Sequence, residues 1–322
     1  MTIRTLGRTL VIANPTAHSG QGAQAAERVK RFFEAYDSAT TSYTHQLTKA
    51  AGDGEAMARG AAGYDTVIAL GGDGIIHEVV NGLMDITAED RPTFAIIPMG
   101  SGNDFARTLH ATFNDPDESL REILSGSVRR IDLGHVESET AAPTYFMETL
   151  SFGLDAAIAL DTTDRREANT SQEGETLFAT SCVRIMSRVK GDSSGFPSRV
   201  SIDGEEPIEL NSIVFALQNG PTYGGGFSIC PDAIPTDGLL DVCYNVRTPN
   251  IAHLLGLLAL ARFGRHVGSN SVNLRTLSSL DVEFTEREPP CQVDGERLTG
   301  MRYHVCAAPS SLDVIVPSNC LW

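Results

Sequence analysis

An α/β domain followed by a mostly antiparallel β domain is the fold class this sequence predicts, and three observations predict it. Over roughly the first 110 residues, short apolar runs of strand length alternate with segments of helical period. After about residue 130, strand-like runs recur at short spacing, several meeting at Asp-Gly turns such as Asp203-Gly204 and Asp294-Gly295. Glycine-rich turns stand where strands of the first part hand over to helices, in NPTAHSGQG, GGDG and PMGSGND. The length of 322 residues suits two ordinary domains, and 41% hydrophobic with 20% charged residues is a common globular composition.

The elements follow in order. Residues 9–13 read as a strand and residues 21–36 as a helix, with Ala25, Val29, Phe32 and Phe33 on its apolar face. Strand and helix repeat at 64–70 and 75–83, and again at 93–97 and 103–109. Such alternation implies parallel strands with helices on both faces, and ligands in such sheets bind at the carboxyl ends of strands. In the second part, residues 130–136, 144–150, 199–202, 207–218, 239–246, 280–284 and 303–307 read as strands, and 176–189 and 251–263 as helices. The expected domains are 1–130 and 131–308; residues 309–322, with a strand at 312–316, belong to the second or return to the first.

Several function classes are excluded. A net charge of −16 argues against nucleic acid and against broad adhesion to anionic lipid, while leaving a local basic face open. Lys30, Lys49 and Lys190 are the lysines, and none lies in a glycine turn, so no Walker-type loop exists. The six cysteines form no CxxC pair, against a zinc ribbon, and their wide spread suits a reducing cytoplasm. The first apolar run stops at Asn14-Pro15 and does not read as an export signal. The longest one, 251–263, holds His253 and Arg262 and falls short of the roughly 20 residues a bilayer needs.

The glycine turns carry the chemistry. Gly71, Gly72 and Gly74 follow a strand and open a helix. Glycine admits positive φ and lets backbone N–H groups approach a ligand, and a helix N-terminus adds donors and a positive dipole end. Together these favour phosphate. Asp73 either caps a helix or holds a metal ion beside the phosphates. Pro98, Gly100, Ser101 and Gly102 form a second loop at the same sheet edge, opening a helix with Asn103-Asp104; the loop at 14–22 is a third. The dinucleotide fingerprint GxGxxG fails, because Phe105 stands at its third glycine.

NPTAHSG, GGDG with its following HEVVNGL, and PMGSGNDFAR together resemble the diacylglycerol-kinase-like lipid kinases, whose nucleotide domain is shared with phosphofructokinases and NAD kinases. NGPTYGGGFSICPDAIPTDGLLDV at 219–242 resembles the family's glycine-rich segment and metal-site loop, and CQVDGE at 291–296 its catalytic DGE. The resemblance implies a nucleotide-binding α/β domain, a C-terminal β-sandwich, and ATP in the cleft between them. It places nucleotide contacts at Asn14, Pro15, Ser19, Gly20, Thr48, Gly71, Gly72, Asp73, Gly74, Ile75, Gly100, Ser101, Asn103 and Asp104. It places Mg²⁺ at Ile234, Asp237 and Leu239, the apolar pair serving through carbonyls, and the catalytic acids at Asp294 and Glu296. Ile75 departs from the family's usual Thr, which removes a hydroxyl contact to phosphate. Ser101 keeps one.

A second DGE stands at Asp203-Gly204-Glu205. Both read as hairpin turns. Motif order selects Asp294, which follows the metal-site loop, and leaves Asp203 the turn alone. With no loop lysine, Mg²⁺ and backbone N–H groups carry the charge neutralisation that phosphoryl transfer needs, with Arg107 a candidate helper. His77 reads as packed or surface histidine. Arg184 and Arg188, with Lys190 nearby, form a basic helix face that suits either solvent or a membrane; 251–263 reads as a buried helix. The expected activity is transfer of the γ-phosphate of ATP to a lipid hydroxyl, with diacylglycerol giving phosphatidic acid as the leading case. NAD kinase and a non-catalytic lipid-binding relative are the alternatives. The expected setting is the cytoplasm, at the inner membrane face, with a homodimer left open.

Overall fold

Four strands at the amino-terminal end run parallel because helices return the chain between them. The computed structural model describes residues 5–36, 38–167, 174–188, 195–246 and 251–322. The chain divides into one unit of Met1–Ile131 with Ser310–Trp322 and another of Asp132–Pro309.

The first unit runs β1 (Arg8–Ala13), α1 (Gln21–Ala35), β2 (Ser42–Leu47), α2 (Asp53–Arg59), β3 (Thr66–Gly71), α3 (Asp73–Met84), β4 (Thr93–Pro98), α4 (Asp104–Thr108) and α5 (Pro116–Ser125), then enters β5 (Ser127–Ser138). The strand order is β2-β1-β3-β4. Every residue of β3 is buried, as a strand covered on both faces requires. Val11, Ile68 and Ala95 lie in register on one face, where Ala25, Val29 and Phe33 of α1 and Leu120 and Ile123 of α5 pack. A Cβ on Gly82 of α3 would lie 2.3 Å from the Glu55 carbonyl, so this glycine sets the close approach of α2.

β2 and α2 were not legible as elements. SYTHQL lacks an apolar run because β2 is a half-exposed edge strand, paired among the described residues with β1 alone. α5 starts on a local signal: Asp115 accepts from the N–H groups of Asp117 and Glu118, and Pro116 takes the first helical position.

The second unit continues with β6 (Thr144–Phe146), β7 (Thr149–Gly153), α6 (Leu154–Glu167), α7 (Gly174–Arg188), β8 (Phe196–Ile202), β9 (Ile208–Ser212), β10 (Val214–Gln218), β11 (Thr222–Tyr223), β12 (Phe227–Ser228) and β13 (Leu240–Asn245). It closes with α8 (Ile251–Ala261), β14 (Val272–Leu277), β15 (Ser279–Phe284), β16 (Cys291–Val293), β17 (Glu296–Leu298) and β18 (Arg302–Val316). One antiparallel sheet is β14-β13-β10-β7-β16-β17. In the other, the first half of β18 pairs with β15, then β8 and β9 follow. Their inner faces share one core, in which the Phe152 ring lies 5.2 Å from Phe284 and 4.8 Å from Tyr303. β15 alternates buried and accessible residues, the period of a half-buried strand.

Two expected strands are broken and two are fused. Residues 207–218 divide at Ile213, because the Asn245 side-chain oxygen accepts from the N–H groups of Ile213 and Val214. Residues 144–150 divide where Asp294 captures the backbone. The runs at 303–307 and 312–316 belong to the single strand β18, whose last part pairs parallel with β4 at Val314 and Phe94. The helix at 176–189 is α7; Val189 and Lys190 lie outside the described residues, as does the side chain of Arg188. Arg184 pairs with Asp161 at 3.4 Å. The helix at 251–263 is not buried: α8 hides only one face. All six cysteines are free, with Cys230, Cys243 and Cys291 buried in the second unit.

Candidate active site

The sheet register brings the three glycine turns of the first unit level with one another. Ala13 pairs with Leu70 and Gly71 with Pro98, so the chain leaves β1, β3 and β4 at the same height. The loops then touch through backbone. A Cβ on Gly100 would lie 2.7 Å from the Gly72 Cα. Gly71 has φ 151°, where a side chain is strained, and a Cβ there would meet Ile75 Cγ2 at 2.5 Å. Gly72 has an ordinary extended backbone, and its Cβ would lie 3.4 Å from Gly100, at van der Waals contact. Positive φ is thus a need of Gly71; close loop approach is the need of Gly100. Gly74 lies in the first turn of α3.

Asp73 takes the capping role, on a helix other than its own. Its carboxylate accepts from Asn103 N at 2.8 Å and Asp104 N at 3.1 Å, tying the GGDG turn to the start of α4. α3 itself has no side-chain cap among the described residues, so its N-terminus presents backbone donors at the end of β3. Asn103 is buried in left-handed conformation, and its amide donates to the Gly100 carbonyl at 2.7 Å. Its Oδ1 is buried without a hydrogen-bond partner among the described residues, which leaves an acceptor for a bound group. Ser101 stands at the half-exposed crest of this loop.

The first turn is more self-contained than the sequence suggests. The N–H groups of Gly20, Gln21, Gly22 and Ala23 donate to carbonyls of Pro15, Thr16, Ala17 and His18 within the loop. Asn14 Oδ1 accepts from Thr16 N and Thr16 Oγ1. His18 and Ser19 have positive φ, as does Gly20. Thr48 is buried at the end of β2, its N–H bonded to the Ala13 carbonyl. Ile75 is buried, and its methyl groups fill the space in front of Gly71 and Gly54, the latter at 2.4 Å from an added Cβ. The residue in the usual Thr position is therefore a packing element here. His77 is buried beside Asn81. Arg107 stacks over Phe113, 4.9 Å from the ring centre, and donates to the Gly102 carbonyl.

Sequence reasoning missed Glu78, whose carboxylate accepts from Gly52 N at 2.8 Å and Gly54 N at 2.9 Å and so caps α2. No sequence signal marks it: Glu78 lies 26 residues beyond Gly52 and reaches it because α3 packs on α2.

In the second unit, the two DGE turns are built alike. Asp203 and Asp294 both have positive φ, at 51° and 47°. Asp203 Oδ1 accepts from Ser278 N, Ser278 Oγ and Ser279 N. Asp294 accepts from Met147 N through Oδ2 at 2.8 Å, and from Glu148 N and Thr149 N through Oδ1 at 3.1 and 3.0 Å. The neighbours differ. Glu205 pairs with Arg275 at 2.6 Å, whereas Glu296 is exposed at the start of β17. Gln292, also missed, accepts from Gly295 N at 2.7 Å and donates to Ser151 Oγ at 2.8 Å. Beyond it, the Tyr223 hydroxyl donates to Asp155 at 3.2 Å. Burial pushes the Asp155 carboxyl up to about 7, against the hydrogen bonds from Ser151 and Tyr223.

Ile234, Asp237 and Leu239 share one loop. The Ile234 carbonyl accepts from Thr236 N and Asp237 N, and Asp237 Oδ1 accepts from Leu239 N at 3.0 Å. The loop is anchored by buried Asp132, which accepts from Gly238 N at 2.6 Å and donates its own N–H to the Pro235 carbonyl. Burial, then the charges of Asp237 and Asp232, push the Asp241 carboxyl up to about 6. Oxygen donors and crowded negative charge fit a hard divalent cation. No group of three or more His, Cys, Asp or Glu side chains among the described residues forms a closed cage.

The profile described as the diacylglycerol kinase catalytic domain matches residues 8–136, and that described as the YegS C-terminal NAD kinase beta sandwich-like domain matches residues 148–316. A protein of Serratia proteamaculans named "Probable lipid kinase YegS-like" is 30% identical over 259 residues, 80% of this chain and 78% of that one. A solved diacylglycerol kinase from Bacillus anthracis superposes with TM-score 0.71 at 21% identity, over 98% of both chains. An NAD kinase from Archaeoglobus fulgidus, solved with ATP, shares the fold at TM-score 0.53 and 12% identity, over 97% of this chain and 94% of that one. The class is thus a kinase, with a parallel α/β domain joined to a β-sandwich. Within that class the chain belongs to the lipid kinase family that joins the diacylglycerol kinase catalytic domain to the YegS-type C-terminal domain.

Proposed function

We propose that this lipid kinase moves the γ-phosphate of ATP to the hydroxyl of a membrane lipid, with diacylglycerol the leading acceptor. The observation that carries the nucleotide half is the uncapped N-terminus of α3, set at the end of β3 against the loop from Gly100 to Asp104. Gly71, Gly72, Gly74 and Ile75 would present backbone donors to phosphate, and Asn103 and Ser101 would complete the contact. The loop from Asn14 to Gly20, with Thr48, would bound the nucleotide on the side of β1. Mg²⁺, where bound, supplies neutralisation of phosphate charge; Asp237 with the carbonyls of its loop would hold it, and Asp73 and Asp104 are further carboxylates within the nucleotide turns. The Ile234 carbonyl already accepts two N–H groups, so its share in that set is the smallest.

Asp294 is the proposed proton acceptor for the lipid hydroxyl. An ionised carboxylate offers about four lone-pair directions. Three backbone N–H groups donate to it here, which fixes the carboxylate firmly in place. Glu296, exposed two residues on, would orient the hydroxyl or share the proton.

The test incubates the purified chain and radiolabelled ATP with mixed micelles of diacylglycerol, ceramide, sphingosine or phosphatidylglycerol, and with NAD. Label in one lipid, dependent on Mg²⁺, is the expected result. Label in NAD alone would assign the chain to the other branch of the fold. Binding of lipid with no transfer to any acceptor would make it a non-catalytic relative.

A further inference from the structure

We propose that the outer face of α8, with the turn that follows it, docks on the surface of an anionic phospholipid bilayer. This rests on the lipid acceptor proposed above. A surface helix ordinarily shows polar residues to solvent. α8 does not. Leu254, Leu257 and Ala261 are buried, at helical spacing, on one face. The opposite face carries Ala252, Leu255, Gly256, Ala259 and Leu260, all exposed, and continues to Phe263. Leu255 is 48% exposed, Leu260 42% and Phe263 74%, and Val267 extends the line at 43%. His253 is the one polar side chain exposed on the helix.

Charge selects the partner. The chain carries −16 overall, yet no aspartate or glutamate stands between Asp241 and Asp281. Within that acid-free stretch, exposed Arg265 flanks Phe263 and Val267. An apolar face with a basic edge is the composition of a helix lying at a headgroup boundary. Along this stretch the chain itself sets no carboxylate against an anionic surface; exposed Asp232, next to the Pro231 that packs on Gly264, is the acid that Arg265 has to offset. A helix of this length and composition cannot span the bilayer. It can only lie on it.

The experiment measures co-sedimentation of the full chain with sucrose-loaded vesicles of phosphatidylcholine, with and without phosphatidylglycerol. Wild type is compared with a triple variant, Leu255→Gln, Leu260→Gln and Phe263→Gln, and with Phe263→Trp. Wild type is expected to sediment with the anionic vesicles, and the triple variant to bind about a hundredfold more weakly with unchanged Tm. The chain has a single native tryptophan, Trp322. The emission added by Phe263→Trp should therefore shift to the blue with anionic vesicles. Should the triple variant lose Tm, the Phe263→Trp shift decides. Equal sedimentation of wild type and triple variant, or no spectral shift, overturns the proposal. So does a wild-type dimer in sedimentation velocity that the triple variant abolishes, which would assign the face to a second copy of the chain. Vesicle binding needs no turnover, so a chain that binds vesicles and phosphorylates no lipid fails the proposed function while passing this test.

Discussion

Asp203 and Asp294 make nearly the same turn, yet an amide suits only one of them. At Asp203 a single oxygen, Oδ1, takes all three donors, and Asn keeps that oxygen. At Asp294 both oxygens are used, so Asn would set an amide N–H₂ against the Met147 N–H. Asp203→Asn should leave Tm and kcat within error of wild type. Asp294→Asn should lose roughly 1–3 kcal/mol of stability as well as about 10²–10⁴-fold in kcat, the usual worth of a general base. Urea melts beside steady-state rates separate the two effects; an active Asp294→Asn, or a dead Asp203→Asn, would reverse the assignment of the turns. The glycines give a second residue-scale contrast. Gly100→Ala puts a Cβ into the Gly72 backbone and should destabilise the loop pair by about 1–3 kcal/mol. Gly72→Ala has room within the protein, so it should keep the fold and weaken ATP binding by standing between backbone and phosphate. Calorimetry showing wild-type ATP affinity in Gly72→Ala would take the GGDG turn out of the nucleotide site.

At the scale of elements, what could be read in advance depended on whether an element's signal was local. β1, β3 and β4 are apolar along their length because helices cover both faces, and their turns are rich in glycine because they approach one another. Those features lie in consecutive residues. β2 is polar because it is an edge, and α2 is short and capped by a residue far along the chain. Gly52 and Glu78 are 26 positions apart, beyond any window the length of a helix. The division of 144–150 is likewise imposed from a distance, by Asp294. The site shows the same split: the glycine turns were legible as motifs, while Asp73 capping α4, Asp132 anchoring the 234–239 loop and Gln292 bracing the DGE turn are tertiary facts. The cap makes a prediction of its own. Glu78→Ala leaves Gly52 N and Gly54 N without their acceptor and should cost roughly 1–3 kcal/mol, read as a lower urea midpoint with an unchanged m-value.

For the molecule as a whole, the buried carboxyl of Asp155 sets a slope of stability with pH. Its folded pKa of about 7 lies above the 3.8 of an exposed aspartate. The folded protein therefore holds a proton that the unfolded chain releases, and stability falls as pH rises from about 4 to 7. Above about 7 the loss is complete. Asp155→Asn has no charge to bury, so its Tm advantage over wild type should be smallest near pH 4, grow to about pH 7 and then level off. Thermal melts at half-unit pH steps check this, and a difference that does not change with pH would show that Asp155 ionises as easily inside as outside. The free thiols turn the same interior into a clock. Burial pushes the Cys243 thiol up to about 12 and raises those of Cys230 and Cys291 well beyond their usual range. A thiolate is the species that alkylates, so these three are doubly protected, by access and by protonation. Cys182, Cys306 and Cys320 are only half-covered. Under native conditions iodoacetamide should mark the second set first, and the first set only as fast as the sandwich opens. Mass spectrometry of a labelling time course would then read the opening rate of that unit, residue by residue, from chemistry the protein already carries.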